Sequence, residues 1–201
     1  MLRGLGAGGR SPAVRSEHAL SRPQKERLLE IAREAMSERL TRGVVPVFQV
    51  PEPELNVGAG VFVSLLTEHG TLRGCVGTVD GDRPLWQGVV EMAVGTAVED
   101  PVFAPLSVRE LGRTDIEISV LTPFRPIDIE SIIVGKHGLY LVRGPKRAVL
   151  LPQVAKQYRW SRQELLGQLA LRAGLERDAW KSNDVQVFAF EAQVFSNTSL
   201  Q

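Results

Sequence analysis

The 201-residue chain has one cysteine and three histidines, and this scarcity limits the chemistry it can support. A single cysteine cannot form a disulfide within the chain, which suits a reducing cytoplasm and excludes a small disulfide-stapled scaffold. The histidines, His18, His69 and His137, show no paired metal-ligand spacing. The stretch GTLRGCVG also lacks the lysine-serine ending of a phosphate-binding loop. We therefore predict no metal site and no cofactor.

The sequence also lacks excess charge and long apolar runs. Its 24 basic and 23 acidic side chains leave a formal net charge of +1, which gives no overall attraction to nucleic acid or to an anionic membrane. No segment approaches the roughly 18 consecutive apolar residues of a membrane helix. We predict a cytoplasmic protein that binds neither nucleic acid nor membrane.

The chain length and its 43% hydrophobic residues fit one globular domain. Residues 1–20 are rich in glycine and arginine and have neither periodicity nor enough apolar content to pack. We predict a disordered tail over residues 1–20 and a single domain over residues 21–201.

Local signals along residues 21–201 predict interleaved helices and hairpins. Ser21 and Ser161 each stand three residues before Gln or Glu, which is the spacing of a helix capping box. Asp82 is predicted to cap another helix, which opens at Pro84. Gly144–Pro145 predicts a hairpin turn, and residues 184–195 predict one long closing strand. Because strands and helices do not alternate regularly, we predict an α+β fold built on antiparallel sheet.

The stretch LRGCVG, Leu72–Gly77, contains the cysteine and is the strongest candidate for a functional site. It is predicted to form the second strand of a hairpin that turns around His69. Residues two apart on a strand share a face, so Arg73 and Cys75 are predicted to project into one pocket. A guanidinium or an imidazole near a thiol favours the nucleophilic thiolate. Arg73 and Cys75 are therefore candidate catalytic residues.

Possible neighbours of this pair are His69 and His137 as bases, and the acidic residues Glu68, Asp80 and Glu117. We predict a ligand site formed by Arg73, Gly74, Gly77 and His137, since bare glycine backbone lets a ligand approach closely. The alternatives are structural. A lone cysteine is usually a small buried hydrophobe, and glycine in a strand usually marks a bulge or a close approach of backbone.

LRGCVG also resembles the signature of the AMMECR family, called AmmeMemoRadiSam system protein A in prokaryotes. The resemblance runs from about Leu28 to Phe195, and it includes the blocks GVFVSLLTEHGTLRGCVGT, IEISVLTP, GKHGLYL, VLLPQVA and RAGLERDAW in the family's order. The sequence departs from the family at Val76, where isoleucine is commoner. It also departs at Val102, where the family usually has arginine after Asp-Pro.

The resemblance implies a two-part α+β domain, with an antiparallel sheet flanked by helices and a smaller sheet subdomain. It also implies two partners, a Memo-like protein and a radical S-adenosylmethionine enzyme. On this basis we predict an accessory component of their modification system, with a partner- or ligand-binding site at LRGCVG. The alternative is a freestanding enzyme that uses Cys75 as nucleophile or covalent carrier.

Overall fold

The structure, a computed structural model, describes residues 19–200, which fall into two units. The first unit contains residues 19–121 and 193–200, and the second contains residues 122–192. The helices are α1 (Arg22–Arg42), α2 (Leu85–Val98), α3 (Val108–Leu111), α4 (Pro152–Gln157) and α5 (Arg162–Arg172). The strands are β1 (Val61–Leu66), β2 (Leu72–Thr78), β3 (Asp115–Leu121), β4 (Arg125–Pro126), β5 (Gly138–Arg143), β6 (Lys146–Leu150), β7 (Gln186–Phe190) and β8 (Ala192–Ser196). Helices and antiparallel sheets together confirm the predicted α+β class.

The first unit is built on a four-stranded sheet with the order β2-β1-β3-β8. Because successive side chains of a strand point to opposite faces, Val61, Val63 and Leu65 of β1 lie on one face. These three residues are fully buried in a core shared with α1 and α2. The other face of β1 carries Phe62 and Ser64.

The first helix begins as predicted. Ser21 and Gln24 form the capping box, and Gly43 ends the helix with a φ of 71°, a conformation that glycine adopts without strain. Leu20 lies at the end of the predicted tail, yet it is buried in the first core, and its N–H donates to Gln193 Oε1 at 2.8 Å. Ala19 of that predicted tail is exposed, and its residues 1–18 lie outside the described residues.

The N-cap predicted for the helix that follows Asp82, which is α2, is wrong. Pro84, not Asp82, is the N-cap residue of α2. The Asp82 carboxylate instead accepts a hydrogen bond from the Arg83 guanidinium at 2.9 Å, and no side chain of residues 19–200 caps the first N–H groups of α2. The first N–H of the helix, on Leu85, donates to the Val57 carbonyl at 3.0 Å.

The second unit has its own sheet and its own core. Its strand order is β4-β7-β5-β6, and Leu139 and Leu141 of β5 are buried with Leu166 of α5. The predicted hairpin at Gly144–Pro145 is confirmed, with Gly144 at a φ of 57° between β5 and β6. The capping box predicted at Ser161 is also confirmed.

The long closing strand predicted over residues 184–195 is wrong, because it is broken at Glu191 into β7 and β8. The Glu191 N–H donates to Thr122 Oγ1 at 2.8 Å, and the Thr122 N–H donates to the Glu191 carbonyl at 2.9 Å. Thr122 therefore forms hydrogen bonds with both the N–H and the carbonyl of Glu191. The two halves of the segment belong to different sheets, β7 to the second and β8 to the first.

Candidate functional site

Leu72–Gly77 forms most of β2, which lies at one edge of the first sheet. In the antiparallel pairing with β1, Cys75 lies opposite Ser64, and Gly77 lies opposite Phe62. The register shifts between Leu65 and Leu66, which leaves Arg73 opposite no residue of β1. Such a bulge bends a strand and redirects its side chains, so simple alternation does not describe Arg73.

Arg73 is held by three groups that follow α2 in the chain. Its guanidinium contacts Glu110 Oε1 at 3.0 Å and donates to the Ala104 carbonyl at 3.1 Å. The guanidinium carbon lies 6.0 Å from the centre of the Phe103 ring, within the range of a cation–π interaction. The side chain keeps 20% of its surface exposed. The guanidinium is thus fixed in place and remains partly accessible.

Glu110 connects Arg73 to the start of α3. Its second carboxylate oxygen accepts hydrogen bonds from the N–H and the hydroxyl of Ser107, the N-cap residue of that helix. The pKa of Glu110 lies below its ordinary value. The hydrogen bond from the Ser107 N–H lowers it most, followed by the bond from the Ser107 hydroxyl and then by the contact with Arg73. The end of α3 is in turn tied to α1, since Arg33 donates to the carbonyls of Leu111 and Thr114.

Cys75 is half-buried, and it lies in a row of polar residues across three strands. The Ser64 hydroxyl donates to Cys75 Sγ at 3.3 Å, and Ser64 is itself opposite Glu117 on β3. Ser64 keeps only 4% of its surface exposed, so this polar group is sheltered from solvent. The Cys75 sulfur contacts Ser64 of β1, whereas the Arg73 guanidinium contacts Glu110 of α3 and the loop before it. A single pocket shared by the two side chains therefore stays a prediction.

The backbone of β2 is fastened by side chains from α2 and from the loop after it. Asp100 Oδ2 accepts from the Cys75 N–H at 2.7 Å, while Asp100 Oδ1 accepts from the N–H groups of Val102 and Phe103. Thr96 Oγ1 accepts from the Val76 N–H at 3.1 Å. Edge strands expose unpaired N–H groups, and here Asp100 covers one of them. The sequence patterns did not predict the contacts made by Ser64, Thr96, Asp100 and Glu110.

The two glycines of the motif lie against other parts of the first unit. A Cβ on Gly77 would come within 2.1 Å of the Phe62 ring, which is far closer than any real contact. A Cβ on Gly74 would come within 3.1 Å of the Thr96 methyl group. Close packing accounts for glycine at Gly77 and is tight at Gly74. Their assignment to a ligand site stays a prediction.

The histidines considered as bases lie outside the contacts found for Cys75 and Arg73. His69 is exposed in the turn between β1 and β2. His137 belongs to the second unit, where its Nδ1 accepts a hydrogen bond from the Ile133 N–H at 3.2 Å. His18 lies outside the described residues. The proposed role of His137 in ligand binding is untested and stays a prediction.

Val102, which departs from the family pattern, points into solvent with 80% of its surface exposed. Its N–H donates to Asp100 Oδ1 at 2.8 Å, so the Asp100 carboxylate holds the turn that carries Val102. An arginine at this position would therefore have its side chain in solvent at its base.

Two structural features are absent from residues 19–200. None of the helices described there is long and apolar enough to cross a membrane. In the same part of the chain, no three His, Cys, Asp or Glu side chains are grouped as a metal ion would require.

The fold and the site together define an α+β protein with two antiparallel sheets and a cysteine-containing edge strand. The AMMECR1 family model matches residues 29–195, and the chain belongs to this family.

Relatives match along most of their length. A protein from Methanothermobacter thermautotrophicus is 39% identical over 186 residues, covering 88% of this chain and 95% of the relative. A protein from Aquifex aeolicus is 39% identical over 144 residues, covering 68% of this chain and 73% of the relative. The crystal structure of the uncharacterized protein PH0010 from Pyrococcus horikoshii superposes with a TM-score of 0.82 at 34% identity, over 85% of this chain and 90% of that one.

Proposed function

We propose that the chain is an accessory component of a modification system, in which it binds a Memo-like protein and a radical S-adenosylmethionine enzyme. The site of contact with the partner, or with a small ligand, is the β2 segment that contains Arg73, Gly74, Cys75 and Gly77. This role matches what the family resemblance implies for its prokaryotic members. It assigns the chemical step to the radical enzyme, which needs no catalytic group from this chain.

The observation that supports the proposal is that β2 is held by several hydrogen bonds while Arg73 and Cys75 stay partly exposed. Glu110, Asp100 and Thr96 fix the strand from α2, α3 and the loop between them. Fixing a surface before the partner arrives reduces the entropy lost on binding. Arginine is also suited to this task, because its planar guanidinium can bind a carboxylate through two parallel hydrogen bonds.

A freestanding enzyme with Cys75 as nucleophile is the second candidate. The observation that favours it is the hydroxyl of Ser64 beside the sulfur. Nucleophilic catalysis also needs a base within hydrogen-bond reach of the nucleophile. We rank this candidate below the binding role, because in that role the radical enzyme carries out the chemical step and the chain needs no catalytic base.

The test is co-purification of the full chain with the Memo-like protein and the radical enzyme encoded in the same genome. Wild-type chain is expected to retain the Memo-like protein or the radical enzyme, and Arg73→Gln and Cys75→Ser are each expected to weaken retention. Arg109→Gln is the matched control, because Arg109 is exposed on α3, next to Glu110. Equal retention by all four proteins, or retention by none, contradicts the proposal.

The enzyme candidate has a different test. Covalent capture of a substrate fragment on the cysteine, lost in Cys75→Ser, would make Cys75 a carrier and favour the second candidate. The cytoplasmic location and the lack of nucleic-acid binding, both inferred from composition, stay predictions of the same account.

A further inference from the structure

The end of α4 in the second unit, KQYRW at residues 156–160, combines two cations with two aromatic rings. All five residues but the last, Trp160, are exposed. The Arg159 N–H donates to the Lys156 carbonyl at 3.2 Å, and the Trp160 N–H donates to the Ala155 carbonyl at 3.0 Å. These two bonds form the Schellman ending of a helix, in which Arg159 takes the left-handed position.

Arg159 keeps a side chain where the backbone favours glycine. With a φ of 54°, it is the one non-glycine residue within residues 19–200 that has a positive φ. A Cβ crowds the backbone in this conformation, so arginine here costs folding free energy that glycine would avoid. Because glycine would form the same turn, the strain indicates a use for the guanidinium rather than for the backbone.

The turn also places two aromatic rings on each other. The rings of Tyr158 and Trp160 stack with their centroids 5.0 Å apart and their planes at 15°. Trp160 packs against the core of the second unit, so the inner ring of the stack is held in place. Tyr158 is 62% exposed, so the face of its ring turned away from Trp160 is open to solvent. A flat face held in this way is suited to stacking with another aromatic ring.

Lys156 and Arg159 lie on either side of Tyr158 in the chain, and neither has an ion-pair partner among residues 19–200. The carboxylates of the second unit are instead engaged by its other cations, in the pairs Arg162–Glu130, Lys181–Asp178, Arg143–Asp184 and Lys136–Glu191. Residues 122–192 contain 11 Lys and Arg side chains against 7 Asp and Glu. Residues 156–160, the 156–160 patch, therefore attract carboxylates.

We propose that the 156–160 patch docks a short acidic segment of a partner protein, in which one aromatic side chain is flanked by aspartate or glutamate. The aromatic ring stacks on Tyr158, and the carboxylates contact Lys156 and Arg159, whose planar guanidinium binds a carboxylate through two hydrogen bonds. Two cations are too few for a nucleic acid held by its backbone, which takes several phosphate contacts. This inference does not depend on the function proposed above, because the patch lies in the second unit and contains neither Arg73 nor Cys75.

The test uses the full chain and three fluorescein-labelled peptides, DEWED, DEAED and KKWKK, in fluorescence anisotropy at about 50 mM salt. DEWED is expected to bind at least about tenfold more tightly than KKWKK, which has the same ring and the opposite charge. DEWED is also expected to bind about threefold more tightly than DEAED, which keeps the charge and lacks the ring.

Matched variants locate the binding. Arg159→Gly removes the guanidinium and keeps the turn, so it is expected to weaken DEWED binding at least about fivefold while the melting temperature does not fall. Tyr158→Ala is expected to bind DEWED and DEAED with equal affinity, because the stacking surface is gone. Arg172→Gln is the control for the loss of one positive charge. Arg172 is exposed in the last turn of α5, and its replacement is expected to leave DEWED binding unchanged.

Three outcomes overturn the inference. The first is equal affinity for DEWED and KKWKK. The second is a loss of DEWED binding in Arg172→Gln as large as the loss in Arg159→Gly, or no loss in Arg159→Gly, since the binding would then lie outside the patch. The third is tighter binding of a single-stranded oligonucleotide than of DEWED, weakened by Arg159→Gly, which would make the occupant a nucleic acid.

Discussion

Replacing Gly77 with alanine tests whether this glycine serves packing or a ligand. Gly77 lies opposite Phe62, whose ring occupies the place of a Cβ, with Cδ1 only 2.1 Å away. Phe62 is 8% exposed, so its ring has little room to move. Relieving such a clash costs about 1–3 kcal/mol, while the lower chain entropy of alanine in the unfolded state returns about 0.4–1 kcal/mol.

Gly77→Ala is therefore expected to lower the free energy of unfolding by about 1–2 kcal/mol, measured by urea denaturation followed by circular dichroism. Gly74→Ala is the control on the same strand. Its new methyl group would lie 3.1 Å from the Thr96 methyl, a contact that small shifts can relieve. Its effect is expected to stay within about 0.5 kcal/mol.

A double-mutant cycle tests the cause. In a Phe62→Ala background, the added methyl of Gly77→Ala has space, and its cost is expected to fall below about 0.5 kcal/mol. An additive cycle would refute the packing explanation. So would a Gly77→Ala protein that unfolds like wild type but no longer retains its partner, since the glycine would then serve binding.

Three further predictions concern stability elsewhere. Arg159 follows α4 with a φ of 54°, a conformation that favours glycine, and the Trp160 N–H donates to the Ala155 carbonyl. Arg159→Gly is therefore expected to raise the free energy of unfolding by about 0.5–1 kcal/mol. A lower free energy of unfolding would contradict backbone strain at Arg159. Glu110 has a lowered pKa in the folded chain, so its contribution is present above its ordinary value of about 4.5 and is lost as the pH falls through the folded value. The stability difference between wild type and Glu110→Gln is thus expected to shrink between pH 7 and pH 3 in denaturation curves, and a constant difference would exclude the charge as its cause. Leu166→Ala is expected to cost about 2–5 kcal/mol, because Leu166 is fully buried, whereas Leu171→Ala, 46% exposed on the same helix, is expected to change little; equal effects would place Leu166 outside the core.

Features encoded by neighbouring residues could be predicted from the sequence. The capping box at Ser161 depends on a glutamate three residues later, and the turn at Gly144 depends on adjacent residues. A similar capping box at Ser107 and Glu110 has the same spacing and could have been found in the same way. That signal marks the start of α3, but it does not place Glu110 beside Arg73.

Features that depend on distant residues could not be predicted. The alternation of apolar residues continues through Glu191, so nothing local marks the break that Thr122 imposes from 69 residues away. Arg73 and Cys75 were identified within the motif. However, their partners Glu110 and Asp100 lie 37 and 25 residues from them in the chain. The bulge at Arg73 is likewise set by the pairing of β2 with β1, which a single strand does not reveal.

The measurement that tests the central claim most directly is iodoacetamide labelling of Cys75 in the folded chain, alone and with the Memo-like protein. If Cys75, which is half-buried, lies at a binding site, its thiol is expected to react in the native chain at neutral pH and to be protected when the partner is added. Arg109→Gln is expected to give the same protection as wild type, whereas Arg73→Gln is expected to lose it. A thiol that reacts only after denaturation, or at the same rate with and without the partner, would contradict the assignment of β2 as the binding site.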